Sequence, residues 1–187
     1  CFYVALYYNI IVFTNPAKNV KTFGLREDSI VADLGAGTGH FTVALSFVVP
    51  RGKVYAVEIQ KDFLDKIHSK IKDLNISNIE TLRGDIEKKG GTKLKDGILD
   101  AVLLSNVLFQ IEDKNTLIEE VKRILKPNGS LIVIDWHHTS PLVSKNHKAV
   151  PKSKAREIAE RKGLLWHKDI DVGEHHYGII FKNKVKV

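Results

Sequence analysis

The sequence has no methionine and a single cysteine, Cys1. One thiol cannot close an internal disulfide, so the fold must hold by its core alone, and the expected location is the cytoplasm. The missing methionine and the start at Cys1 give the expectation that the numbering begins inside a longer or processed protein. No apolar run is long enough to cross a bilayer: the opening, residues 1–13, falls short of the ~20 residues a spanning helix needs. It also lacks the basic start and small-residue cleavage pattern of a signal peptide, so it is expected to pack on the domain's edge. There is no internal repeat, low-complexity tract or linker. With 13 glycines, 5 prolines and 43% apolar residues the composition is that of a globular chain. At 187 residues one domain is expected over 1–187, with 1–28 as an N-terminal cap segment; a domain of this size buries roughly 70% of its unfolded surface.

Acidic residues are the scarcer sign, and the formal net charge is +7. The excess gathers in three groups: Lys88, Lys89, Lys93 and Lys95; Lys145, Lys148, Lys152, Lys154 and Arg156; and Lys182, Lys184 and Lys186. Clustered cations suit a polyanion. Without interleaved aromatics to stack bases they read as three solvated faces, with nucleic acid kept as the alternative partner.

Apolar runs alternate with helical periodicity along most of the chain. Thr14-Asn15-Pro16 reads as a turn, 17–23 as a short helix closed by Gly24, and Ser29 to Leu34 as a strand apolar on both faces. Phe41, Ala44, Leu45 and Val48 have helical spacing; Lys53 to Ile59 is a second strand; Asp62 to Leu74 is a helix with Asp62 as its expected N-cap. Ile79 to Arg83 is a third strand and Glu87 to Gly97 a loop or frayed helix. Ile98 to Leu104 is the most apolar strand, Asp113 to Leu125 a helix, Pro127-Asn128-Gly129 a turn and Leu131 to Ile134 a fifth strand. Such alternation predicts right-handed βαβ units: an α/β fold with a parallel sheet between helical layers. After a basic helix, Lys152 to Lys162, strands at Leu164–Ile170 and His176–Phe181 are too close for a helical crossover and are expected to pair antiparallel.

Ligands of open α/β sheets bind beyond the carboxyl ends of the strands at the switch point. Four features fall there. Val31-Ala32-Asp33-Leu34-Gly35-Ala36-Gly37-Thr38-Gly39 joins strand to helix through alternate glycines, which allow φ > 0 and close approach of a ligand. Glu58 ends the second strand about 20 residues past the loop, where a carboxylate meets the two hydroxyls of a ribose. Asp85 follows the third strand and offers an acceptor for an exocyclic amine. Ser105-Asn106 follows the fourth. A dinucleotide loop, G-x-G-x-x-G, would need glycine at position 40, where the chain has His40.

In these pieces, with Val54-Tyr55-Ala56-Val57-Glu58, Gly84-Asp85-Ile86, Leu99 to Leu108 and Leu125-Lys126-Pro127-Asn128-Gly129-Ser130-Leu131, the chain resembles the class I S-adenosylmethionine-dependent methyltransferases over roughly residues 17–182. The resemblance implies a three-layer Rossmann-like fold whose mostly parallel seven-stranded sheet ends in an antiparallel pair. It also implies S-adenosylmethionine as the cofactor. Gly35, Ala36, Gly37, Thr38 and Gly39 would pass under the methionine and adenosine, with Asp33 ordering that loop and the amino group. Glu58 would take the ribose and Ile59 pack on adenine, Asp85 take its amine beside Ile86, and Asn106 lie by the transferred methyl.

Methyl transfer from a sulfonium is an in-line displacement with no obligatory catalytic residue. His137 and His138, at the end of the fifth strand, are the candidate bases or pocket walls; as loop histidines they also have a purely structural reading. With His175 and His176 they show no known metal-ligand spacing, so no metal is expected. The Asn/Asp-Pro-Pro-Tyr/Phe box of adenine-amine methylases is absent, since 106–109 reads Asn-Val-Leu-Phe. The favoured acceptor is a small molecule. The alternatives are an RNA or protein methyltransferase using the basic rim, and a cofactor-binding protein without transfer activity.

Overall fold

The computed structural model describes residues 14–140 and 149–183. The apolar opening, Lys145, Lys148, Lys184 and Lys186 lie outside the described residues.

Two short turns lead in, α1 (Pro16–Asn19) and a 3-10 turn (Val20–Thr22). The Asn15 side chain caps α1 by accepting from the Lys18 N–H, and Gly24 at φ 70 stops the run. The helix expected over 17–23 is therefore split in two. The alternation that follows is β1 (Ile30–Leu34), α2 (His40–Val48), β2 (Lys53–Glu58), α3 (Lys61–Asp73), β3 (Ile79–Arg83), β4 (Leu99–Ser105), α4 (Lys114–Ile124), β5 (Leu125–Trp136), α5 (Lys152–Arg161), β6 (Leu164–Ile170) and β7 (His176–Asn183).

The strands form one sheet of order β3-β2-β1-β4-β5-β7-β6. β3, β2, β1, β4 and β5 pair parallel, while β7 runs antiparallel to both β5 and β6. β7 inserts between β5 and β6, which makes it the reversed strand. Helices cover both faces. Leu117, Val121 and Ile124 of α4 and Ala155 and Ile158 of α5 join one apolar cluster with Leu104, Val133 and Phe181. Phe41 and Leu45 of α2 join the other with Val31, Leu103 and Ile134. Each such side chain, fully buried, contributes about 1.5–3 kcal/mol, which is why the apolar stripe of each helix dictates the face it covers.

Two local details depart from sequence expectation, and a third decides between the loop and the frayed helix expected after β3. The N-cap of α3 is Gln60 and not Asp62, because Glu58 draws in the Ile59 and Gln60 N–H groups and starts the helix early; Asp62 sits in the first turn, where its charge suits the helix dipole. The 127–129 turn is an excursion inside β5: Leu125 pairs with Leu99, and pairing resumes at Ser130 opposite Ala101, with Asn128 at φ 64. The segment between β3 and β4 contains no helix.

The direction of build reverses between β1 and β4, neighbours that are not consecutive in the chain. The glycine loop leaves β1, and Ser105 closes β4, on either side of that crevice.

Candidate active site

Gly35, Gly37 and Gly39 have φ of 70, 53 and 80. A Cβ on Gly35 would lie 2.8 Å from Val107 Cγ2 and one on Gly39 2.7 Å from Ile67 Cγ1, so these two glycines let the loop pack on β4's following turn and on α3. Gly37 is different. A Cβ there would meet nothing within 4 Å among the described residues, which leaves its backbone bare toward the cavities it lines.

Two cavities of about 260 Å³ each flank the loop and share Gly35, Gly37 and Gln110. The first is lined by Glu58, Ile59, Gln60, Phe63, Asp85 and Ile86. The second is lined by Asp33, Ala36, Thr38, His40, Ser105 and Asn106. The structure thus gathers every expected cofactor-binding residue except Gly39 around these two adjoining cavities, which together form one crevice. Gly39 packs beneath it on Ile67.

Glu58 is buried, and its carboxylate is the loop's anchor. Oε1 accepts from Ile59 N at 2.8 Å and Gln60 N at 2.9 Å, and Oε2 accepts from Gly37 N at 2.9 Å. A carboxylate offers about four lone-pair sites, so Oε2 retains one. Asp33, also buried, accepts from Thr42 Oγ1 at 2.6 Å and ties β1 to the first turn of α2. Burial pushes its pKa up to about 6, aided by the charge of Glu58 and opposed by Thr42. Lys70 of α3 donates to Thr38 O at 2.7 Å and braces the loop from outside.

At the other end Asp85 accepts from Lys88 Nζ at 2.9 Å and from Glu87 N at 3.1 Å, which holds its carboxyl below the usual range. Ile59 is half exposed at this cavity although apolar, a surface that a flat apolar ligand would cover. Asn106 closes the opposite end at φ 56, and its Oδ1 is buried with no partner among the described residues.

Several contributors carry no sequence motif. Gln110, four residues past Asn106, donates through its side-chain amide to Asn106 O at 2.8 Å. Glu120 of α4 holds the segment after Asp85. Its buried carboxylate accepts from Gly90 N at 2.8 Å, from Thr92 Oγ1 at 2.6 Å and from Arg123 Nε and Nη2 at 2.8 and 2.7 Å. Gly91 O in turn accepts from Asp85 N at 3.0 Å. The only advance signal was the count of glycines and lysines in that segment, which read as loop or frayed helix.

Burial opposes the charge on Glu120, but Arg123, Thr92 and the two backbone N–H groups outweigh it and pull its pKa down to about 2. Its stabilisation is therefore complete above the unfolded carboxyl's pKa and is lost as pH falls from about 4.5 toward 2. Glu120→Ala is expected to cost about 3–5 kcal/mol at pH 7 in urea unfolding, and the variant should lose this acid limb. A difference under about 1 kcal/mol would show that solvent serves Arg123 and the segment equally well.

His137 and His138 lie away from the crevice. The His137 ring meets Tyr177 edge-on at 5.8 Å and lines a separate cavity of about 300 Å³ with Lys152, His176 and Gly178. His138 is exposed and lines none of the three cavities. His176 stacks on Trp136 at 4.0 Å, and burial pushes its pKa down to about 4.

A family model described as a methyltransferase domain matches residues 25–183, most of the chain and all four strand-end features. The chain belongs to the class I S-adenosylmethionine-dependent methyltransferases. It is similar to a demethylmenaquinone methyltransferase of Lactococcus lactis, 32% identical over 123 residues, covering 65% of this chain and 48% of the relative. It is also similar to a ubiquinone/menaquinone biosynthesis C-methyltransferase of Pseudomonas fluorescens, 29% identical over 133 residues, covering 70% and 51%. The chain thus spans about half the length of these curated relatives. Among solved structures it matches a SAM-dependent methyltransferase from Aquifex aeolicus with a TM-score of 0.76 and 27% identity, over 91% of this chain and 90% of that one. The methyltransferase sheet, with its antiparallel strand pair at the end, is the fold described above.

Among the described residues no helix is long and apolar enough to cross a membrane.

Proposed function

We propose that this methyltransferase domain transfers the methyl group of S-adenosylmethionine to a ring carbon of a small molecule of the quinone class. The observation that carries the reading is the shape and polarity of the crevice: two cavities joined at the bare backbone of Gly37, with carboxylates at one end and the unpartnered Asn106 Oδ1 at the other. That arrangement suits a molecule with a nucleoside at one end and an amino acid at the other. Glu58 Oε2 would take a ribose hydroxyl on its remaining lone pair, Ile59 would cover one adenine face, and Asp85 would accept the adenine amine. Asn106 Oδ1 and Asp33 would accept from the ammonium group.

When bound, the donor supplies a sulfonium-activated methyl, an electrophile strong enough that the protein need only align an attacking atom in line and keep water out. Gln110, Ser105 and Phe41 border the end where that atom would arrive. A soft carbon nucleophile needs less help from a general base than an amine or alcohol does, in keeping with the absence of His137 and His138 from this cavity. The quinone class rests on the activities of the two curated relatives, a demethylmenaquinone methyltransferase and a ubiquinone/menaquinone biosynthesis C-methyltransferase. The described members of the second lysine group give no support to an RNA partner: Lys152, Lys154 and Arg156 each pair with a carboxylate, of Asp169, Glu157 and Glu160.

The test is transfer of labelled methyl to 1,4-naphthohydroquinone, to bulk tRNA and to a protein extract, beside calorimetry with S-adenosylhomocysteine. Label in the naphthohydroquinone fraction is expected. Label in RNA or protein would overturn the acceptor class, and tight binding without transfer to any of the three would overturn the activity.

A further inference from the structure

Asp135 is wholly buried at the end of β5 and cannot touch a ligand, yet it is a carboxylate among apolar neighbours. Burying such a charge costs several kcal/mol unless donors converge on it. Three do. Oδ2 accepts from Leu108 N at 3.0 Å, Oδ1 accepts from Trp136 N at 2.8 Å, and the Phe109 N–H also lies on the carboxylate. Two of these donors belong to the turn that follows β4. One residue earlier along β5, Ile134 O accepts from Asn106 N at 2.8 Å, so two successive residues of β5 grip the same turn.

That turn carries Asn106 in the left-handed region, φ 56, which asparagine visits more readily than other non-glycine residues and which these bonds hold in place. The titratable groups that interact with the carboxylate are the Lys114 ammonium, from the start of α4, and the neutral Tyr177 phenol, from β7; Lys114 Nζ donates instead to Ile111 O and Tyr177 Oη to Val150 O. The carboxylate therefore spends its acceptor capacity on backbone N–H groups, two of them in this turn.

We propose that Asp135 is a positioning residue for the methionine end of the site, fixing the turn from Asn106 to Phe109 and so aiming the Asn106 side chain into the cavity. This rests on the reading that the second cavity takes the amino-acid end of the cofactor. An acceptor-only group is required: an amide would turn its NH₂ toward one of the three N–H groups, and an apolar side chain would leave all three unpaired.

Asp135→Asn in the full chain tests it by calorimetry with S-adenosylhomocysteine and with 5′-methylthioadenosine, which lacks the amino-acid end. The expected result is at least a tenfold loss of affinity for the first and less than a twofold change for the second. In an Asn106→Ala background the same substitution should change S-adenosylhomocysteine affinity by less than twofold, because the group it acts through is gone. Asp135→Ser, which keeps one acceptor oxygen, serves if the amide variant does not fold. Equal losses for both ligands, or an undiminished effect in the Asn106→Ala background, would overturn the proposal. If S-adenosylhomocysteine binding to the wild type is itself indifferent to Asn106→Ala, the underlying assignment of the cavity fails instead.

Discussion

Glu58→Ala is expected to weaken S-adenosylhomocysteine binding at least tenfold. Two losses combine. The ribose would lose a charge-assisted acceptor, worth roughly 1.5–3 kcal/mol, and the loop would lose the carboxylate that holds Gly37 N, Ile59 N and Gln60 N together. Glu58→Gln separates them: it keeps one acceptor oxygen and the volume, so it should retain more of the loop order than of the hydroxyl recognition. Calorimetry and a melting curve on each variant check this. Unchanged affinity in Glu58→Ala would remove the ribose assignment, and a loss of affinity with no change in melting would show that the loop stands without its anchor.

The second large effect is at Gly37. A methyl group there meets nothing among the described residues, so Gly37→Ala should cost only the left-handed backbone penalty, about 1–2 kcal/mol, in unfolding experiments. Binding should suffer far more, by fiftyfold or greater, because that methyl projects where the ligand crosses between the two cavities. Gly39→Ala should show the opposite balance. Its Cβ would press on Ile67 Cγ1 at 2.7 Å, so stability should fall while the cavity lining remains. If Gly37→Ala binds S-adenosylhomocysteine as the wild type does, the ligand does not pass over Gly37, and the crevice is two separate pockets.

These contrasts show how much of the site could be read before the fold. Asp33, Glu58, Asp85 and Asn106 could be placed together because each sits at or within two residues of the carboxyl end of a strand, and strand ends in a parallel sheet converge on one edge whatever the intervening helices do. The glycines were legible as a group, but their different tasks were not. Whether a missing Cβ spares a neighbouring side chain, as at Gly35 and Gly39, or bares the backbone, as at Gly37, depends on residues far along the chain, Val107 and Ile67. The N-cap of α3 was misplaced for a related reason: Asp62 has the better capping side chain, but Glu58 captures the preceding N–H groups and decides where the helix begins. Glu120 and Asp135 were silent in the sequence, since a carboxylate on a helix or at a strand end reads as solvated unless its partners are known. Those partners, Gly90 and Thr92 for one and Leu108 for the other, arrive only through the sheet and the packing of α4.

By itself, then, the sequence determined the layered α/β architecture, nearly all of its elements, the antiparallel ending and the gathering of the strand-end residues at one edge of the sheet, because hydrophobic period and glycine spacing act over short stretches of chain. The tertiary structure decided what no local pattern encodes: that β7 slips between β5 and β6, that His137 and His138 stand outside the crevice, and that two buried carboxylates hold the loops at its ends. The physical reason is the same in each case: a hydrogen bond or a wall is made by two residues, and only the fold selects the second.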